Sequence, residues 1–105
     1  MIQHIIMFRF NNCKDDLEKI LRINEMKSAF GNLKSKIDVV QSYKVAVNEK
    51  ITQFSYDLTI LSEYTSWEDL ELYLNHPEHQ KAISLCKHIE KQKAVIDYEF
   101  EDKKL

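Results

Sequence analysis

The sequence predicts an α+β domain in which a four-stranded antiparallel sheet carries its helices on one face. Three observations predict it. Four stretches alternate apolar and polar residues with the period of two of a strand, and two intervening regions repeat apolar residues every three or four positions as helices do. Their order along the chain is β-α-β-β-α-β, which is the split βαβ, ferredoxin-like arrangement.

The first strand is Ile2 to Phe10. Ile2, His4, Ile6, Phe8 and Phe10 point one way, and Gln3, Ile5, Met7 and Arg9 the other. Asn11-Asn12-Cys13 breaks the pattern and offers a cap, and Asp15 and Asp16 suit a first turn. Leu17, Ile20, Ile23, Met26, Phe30, Leu33 and Ile37 then mark one long amphipathic helix. Gly31 inside it is expected to cost about 1 kcal/mol relative to Ala, which marks a place for a bend or an early end.

Val39 to Val47 alternates again, with Val39, Gln41, Tyr43, Val45 and Val47 on one side. Asn48 to Phe54 is polar and too long for a two-residue hairpin turn. The third strand follows, with Tyr56, Leu58, Ile60, Ser62 and Tyr64 alternating with Asp57, Thr59, Leu61 and Glu63, antiparallel to the second. Ser66-Trp67-Glu68-Asp69 resembles a capping box before a short helix carrying Trp67, Leu70, Tyr73 and Leu74. A restarted helix carries His79, Ala82, Ile83, Cys86 and Ile89, and Ala94, Ile96, Tyr98 and Phe100 make the last strand. The domain spans residues 1–100, and 101–105 form a polar, frayed tail.

The helices cover one sheet face only. The other must carry some of Ile5, Met7, Leu61 and Val95 or their alternating partners, more apolar surface than a monomer leaves wet. A homodimer packed across a twofold axis would bury it.

Composition removes several functional classes. Fifteen basic residues against seventeen acidic ones, with no block of like charge, give no electrostatic case for nucleic acid or an anionic membrane. A single Gly rules out phosphate-cradling glycine loops. No apolar run approaches a spanning helix or a signal peptide, and Cys13 and Cys86 lie far apart, so two free thiols in the cytoplasm are expected. No metal or organic cofactor is expected.

The chemistry concentrates in Tyr73-Leu74-Asn75-His76-Pro77-Glu78-His79-Gln80. Pro77 lacks an N–H and is held near helical φ, so it reads as the first residue of a new helix, capped by Asn75 or His76. His79 lies in the first turn, where the helix dipole disfavours imidazolium and leaves a ring able to accept a proton. Its alternative is a structural histidine bonded to a backbone carbonyl. His4 shares the inward strand face with Ile6 and Phe8, so His4, Tyr73 and His79 are placed to converge in one apolar pocket. There His79 could take a proton alpha to a carbonyl, Tyr73 could donate to the enolate oxygen, and His4 could orient the substrate.

His76 and His79 have the i, i+3 spacing of a metal pair, but a cap and a helical position point differently and no further ligand completes a tetrahedral set. His88, among Lys87, Glu90 and Lys91, reads as a solvated residue. Tyr43, Tyr56, Tyr64, Trp67 and Tyr98 read as core or interface aromatics. Cys86 reads as a core residue, and Cys13 beside Lys14 as the more reactive thiol.

The opening Ile2-Gln3-His4-Ile5-Ile6-Met7-Phe8-Arg9-Phe10, the block Tyr56-Asp57-Leu58 running to Glu63-Tyr64, the run Leu72 to Gln80 and the close Val95-Ile96-Asp97-Tyr98 together resemble the stress-responsive A/B barrel (Dabb) domain. The resemblance implies a ferredoxin-like fold and a dimeric α/β-barrel formed by two sheets. It implies no single activity: some members are known only as assembling, stress-induced proteins, while a plant branch closes linear polyketides by an aldol reaction without metal or cofactor. The pocket residues of that branch fall on Tyr73, His79 and His4, and a further third-strand histidine falls on Leu58.

The function expected is the binding of a small apolar or phenolic molecule in the sheet–helix cleft, lined by Ile6, Phe8, Leu58 and Ile83. An alternative is a cofactor-free acid–base enzyme, an aldol-type cyclase, lyase or isomerase, using Tyr73, His79 and His4. A second alternative is a non-catalytic assembly protein whose cleft is filled, since Phe8 and Phe10 are bulky enough to fill it.

Overall fold

The computed structural model describes residues 1–101 of the chain; the polar tail foreseen from residue 101 lies outside the described residues beyond its first position. Four strands, β1 (Ile2–Phe10), β2 (Ser42–Val47), β3 (Leu58–Tyr64) and β4 (Lys91–Glu99), form one antiparallel sheet in the order β2-β3-β1-β4. Four helical segments, α1 (Asp16–Phe30), α2 (Leu33–Lys36), α3 (Trp67–Asn75) and α4 (Pro77–Leu85), connect them. The sheet is open within the chain, with β2 and β4 as its edges, and is not a closed barrel. Among the described residues no helix is long and apolar enough to cross a membrane.

The alternation in β1 and β3 sets which side chains reach the core. Ile2, His4, Phe8 and Phe10 are buried on the helix side, as are Leu58, Ile60, Ser62 and Tyr64 of β3. Register pairs Ile6 with Ile60 and with Val95, so the helix-facing row of the central strands is apolar. Met26 and Phe30 of α1, Leu33 of α2, Leu70 and Tyr73 of α3, and Ala82 of α4 cover it.

Several boundaries depart from the periodic reading. Helix α1 is capped by Asp15, whose side chain accepts the Glu18 N–H, and not by the Asn11-Asn12-Cys13 turn. In its first two turns Leu17 is 64% and Ile20 52% exposed, while Met26 and Phe30 reach the core. The stripe records what a helix can bury, and the position of the helix on the sheet decides what it does bury. The long helix is two pieces: α1 ends at Gly31, where an added Cβ would lie 2.6 Å from the Lys27 carbonyl oxygen. Glycine there is required by close backbone approach, which replaces the simple penalty relative to Ala.

Strand β2 starts at Ser42, because Val40 instead turns its N–H to Ile37. Strand β3 starts at Leu58. Tyr56 precedes it, and Asp57 turns inward, its buried carboxylate accepting the Phe10 N–H at 2.8 Å and lying 3.2 Å from the Lys19 ammonium. That group ties the end of β1 to α1 and to the loop before β3. Trp67, read as part of an apolar stripe, is 48% exposed as the first residue of α3.

Strand β4 runs from Lys91, three residues earlier than its apolar alternation indicated. Pairing places Lys91, Lys93, Val95 and Asp97 opposite Phe10, Phe8, Ile6 and His4, on the helix side. Val95 therefore faces the helices, and its neighbour Ile96 occupies the open face. There Leu61, Ile5 and Ile96 form one directly paired apolar row across β3, β1 and β4.

Candidate functional site

The break between α3 and α4 builds the site. The residue before a proline is pushed toward extended backbone, and His76 has φ −64° and ψ 138°. In that conformation its Nδ1 accepts the Glu78 N–H at 3.1 Å, capping α4 over Pro77. In an unbroken helix that N–H would have gone to the Leu74 carbonyl. The orphaned Leu74 oxygen is met by two side chains, His79 Nδ1 at 2.9 Å and Gln80 Nε2 at 2.7 Å.

A carbonyl oxygen can only accept, so His79 Nδ1 carries the proton and Nε2 keeps a lone pair. Burial lowers the His79 pKa from the ordinary histidine value, and His4, Lys93 and His76 lower it further, against the Leu74 bond that favours the protonated form. Burial is thus the main cause that favours the neutral ring.

The second polar group is a pair. His4 Nδ1 donates to the Asp97 carboxylate directly across β1 and β4, which leaves Nε2 outside that bond. The Tyr73 ring lies between the two histidines, with centroids 4.5 Å from His79 and 6.4 Å from His4. Its hydroxyl is 3.3 Å from that of Tyr43, and Tyr64, 5.3 Å away by ring centroid, gives its own hydroxyl to Ser62 at 3.0 Å. Burial raises the Tyr73 and Tyr64 pKa values strongly and pushes Tyr43 up to about 12, so these phenols remain protonated.

These groups border a cavity of about 650 Å³ between β1 and β4 on one side and α3 and α4 on the other. His4, Tyr73 and His79 all line it, as do Ile6, Phe8 and Ile83. Leu58 does not: it is 2% exposed in the core and borders a separate, shallower depression by Met7 and Phe54. Phe10 is buried and does not fill the cavity. Tyr43 is not among the lining residues, so Tyr73 walls the cavity with its ring while its hydroxyl is engaged behind it.

Asp97 and the lysines Lys87, Lys91 and Lys93 also line the cavity, and none was singled out as a site residue from the sequence. Polar alternation in β4 was the available signal, but its meaning depended on the register with β1. His76 is spent as a cap, and His88 is exposed and 2.7 Å from Glu25. Among the described residues no three His, Cys, Asp or Glu side chains are grouped to hold a metal ion. Cys13 and Cys86 are free thiols, half-buried and buried respectively, and burial raises the Cys86 pKa.

Comparison with known proteins agrees with this architecture. A model of the stress responsive A/B barrel domain, Dabb, matches residues 2–100. The stress-response A/B barrel domain-containing protein DABB1 of Arabidopsis thaliana is 27% identical over 100 residues, which are 93% of this chain and 46% of that protein; the chain spans about half the length of that relative. A dimeric protein of unknown function and ferredoxin-like fold from Bacteroides fragilis superposes with a TM-score of 0.82 at 28% identity, over 94% of this chain and 95% of that one. A hydroxynitrile lyase from Passiflora edulis superposes with a TM-score of 0.75 over 99% of this chain and 96% of its own, but at 13% identity the likeness concerns the fold alone. The chain belongs to the stress-responsive A/B barrel (Dabb) domain family.

Proposed function

We propose that the cavity between the sheet and the α3–α4 pair binds a small apolar or phenolic molecule. The observation that carries this reading is the hollow itself: about 650 Å³, open on one side to water and lined by Ile6, Phe8, Phe30, Ile83 and Val95, with two imidazoles at its border. A mostly apolar hollow with few convergent polar groups is the usual form of a ligand site. It also counts against the assembly-only reading, which requires a filled cleft.

A second reading, cofactor-free acid–base catalysis, is favoured by the two histidines. Each has its Nδ1 proton committed, His79 to a carbonyl and His4 to a carboxylate, so each can turn Nε2 to a substrate. Asp97 would steady His4 and stabilise its imidazolium once formed. One imidazole could then take a proton alpha to a carbonyl while the other, charged, supplies one to the oxygen, as a lyase, isomerase or aldol-type cyclase needs. The Tyr73 hydroxyl can accept from Tyr43, which would leave its own proton for a substrate oxygen.

The open sheet face supports a homodimer of this chain, in keeping with its dimeric Bacteroides fragilis relative. The row Leu61, Ile5 and Ile96, with Met7 36% and Tyr98 43% exposed beside it, is the surface such a dimer would bury.

The test is a histidine side-chain NMR titration with phenolic and β-dicarbonyl compounds. The His4 and His79 rings are expected to shift while exposed His88 does not, and the response should disappear in His79→Ala. Ring signals indifferent to every compound would sink the pocket. Given binding, turnover that falls about a hundredfold in His79→Gln would support the enzyme reading; no turnover of any bound compound leaves a binder.

A further inference from the structure

Strand β4 puts Lys91 and Lys93 on the helix side of the sheet, opposite Phe10 and Phe8, where the other strands place core residues. A cation set against apolar walls needs water, a carbonyl or an anion. Lys91 has found carbonyls: its ammonium donates to Cys86 O at 2.9 Å and Ile89 O at 3.1 Å, closing the end of α4. Lys93, exposed on the edge strand where the cavity opens to water, has neither a carbonyl nor a carboxylate partner among the described residues. The Asp97 carboxylate in the same cavity is held by His4 and does not serve it.

We propose that the ligand is an apolar or aromatic monocarboxylate whose carboxylate meets Lys93 and whose body lies along β1 and β4 toward the His4–Asp97 pair. The inference rests on the pocket reading above. Lys93 and Asp97 are four residues apart on one strand, about 13 Å at the rise of an extended chain, and Ile6, Phe8 and Val95 lie on the same face between those ends. The cavity is therefore polarised along its length, with a cation at one end, the imidazole–carboxylate pair at the other and apolar side chains in between. Neither arginine, Arg9 or Arg22, lines it, so no bidentate guanidinium is offered to a phosphate, while a lysine ammonium can serve a carboxylate oxygen. Lys87, also at the border, adds positive potential, and Glu71 offsets part of it.

The position of Lys93 also supplies an internal reporter. Its ammonium is among the charges that hold His79 neutral, so an anion seated on it should make His79 easier to protonate.

The experiment is calorimetric and NMR titration of the whole chain with straight-chain and phenyl-terminated carboxylates of four to ten carbons, each beside its primary amide. The acids are expected to bind at least about fivefold more tightly than their amides, as for a partly exposed ion pair, with the preference shrinking at high salt. Lys93→Met keeps the stem and removes the charge; it should abolish the preference of acids over their amides. The His79 titration midpoint should rise with the acid and not with the amide. Equal binding of acids and amides, or a preference that survives Lys93→Met, would overturn the carboxylate assignment while the pocket stands. Failure of every acid and amide to shift His4 and His79 would overturn both.

Discussion

His4 and Asp97 stand directly opposite each other on β1 and β4, and the Asp97 carboxylate accepts a hydrogen bond from His4 Nδ1. Residues 93 positions apart are thus joined by sheet register. Asp97→Asn offers a neutral partner in nearly the same shape. It should redistribute the His4 tautomers, read from ring nitrogen shifts, and destabilise the fold by about 1 kcal/mol, since the carboxylate is partly exposed. An unchanged tautomer would mean that Asp97 does not orient His4.

The pH dependence of stability should carry the signature of His79. Its folded pKa is lowered by burial, so below the ordinary histidine value the unfolded chain takes up the proton first. The stability it supports is complete above about pH 6.5 and is lost as pH falls through that value toward the folded pKa. Urea unfolding at pH 7.5 and pH 5.5 should show a larger drop for the natural chain than for His79→Gln. Equal drops would place the ring in water.

Tyr64 and Ser62 are both fully buried, and the phenol donates to the serine hydroxyl at 3.0 Å. Tyr64→Phe leaves that hydroxyl without its partner and should cost about 1–3 kcal/mol in denaturant unfolding. Adding Ser62→Ala should return part of the loss, because the orphaned group is then gone.

Gly31→Ala should destabilise the protein, although Ala is the better helix former. The new Cβ would press on the Lys27 carbonyl oxygen at 2.6 Å, and the end of α1 must move to relieve it. A loss of about 1–3 kcal/mol is expected from such overpacking. A gain in melting temperature would show that the helix end yields freely.

Ile96→Lys tests the open face. Ile96 is 57% exposed in the single chain and paired with Ile5 at the centre of the apolar row. Sedimentation should show the natural chain as a dimer and the variant as a monomer with unchanged secondary structure. A variant that remains dimeric would move the interface elsewhere.

Much of this fold was legible in the sequence because its signals are local. Alternation from Ile2 to Phe10 fixes which side chains of that strand can share a face, and Pro77 after His76 fixes where one helix ends and another starts, whatever surrounds them. The facing of His4 and the inward turn of His79 followed from those periods and agree with the structure. Leu17 and Ile20 show the limit: they continue the helical stripe but are exposed in the folded chain.

The sequence by itself determined the order of elements, the faces of the central strands and the helix restart at Pro77, because each depends on backbone dihedrals and on residues within one or two turns. Only the tertiary structure decided that Asp97 meets His4, that Lys93 looks into the cavity, that Leu58 does not, and that the Tyr73 hydroxyl turns to Tyr43. Those facts depend on strand register and helix placement. A one-residue slip in the register of β4 would exchange Asp97 for a neighbour on the opposite face, and no period read along a single strand records how it is paired with the next.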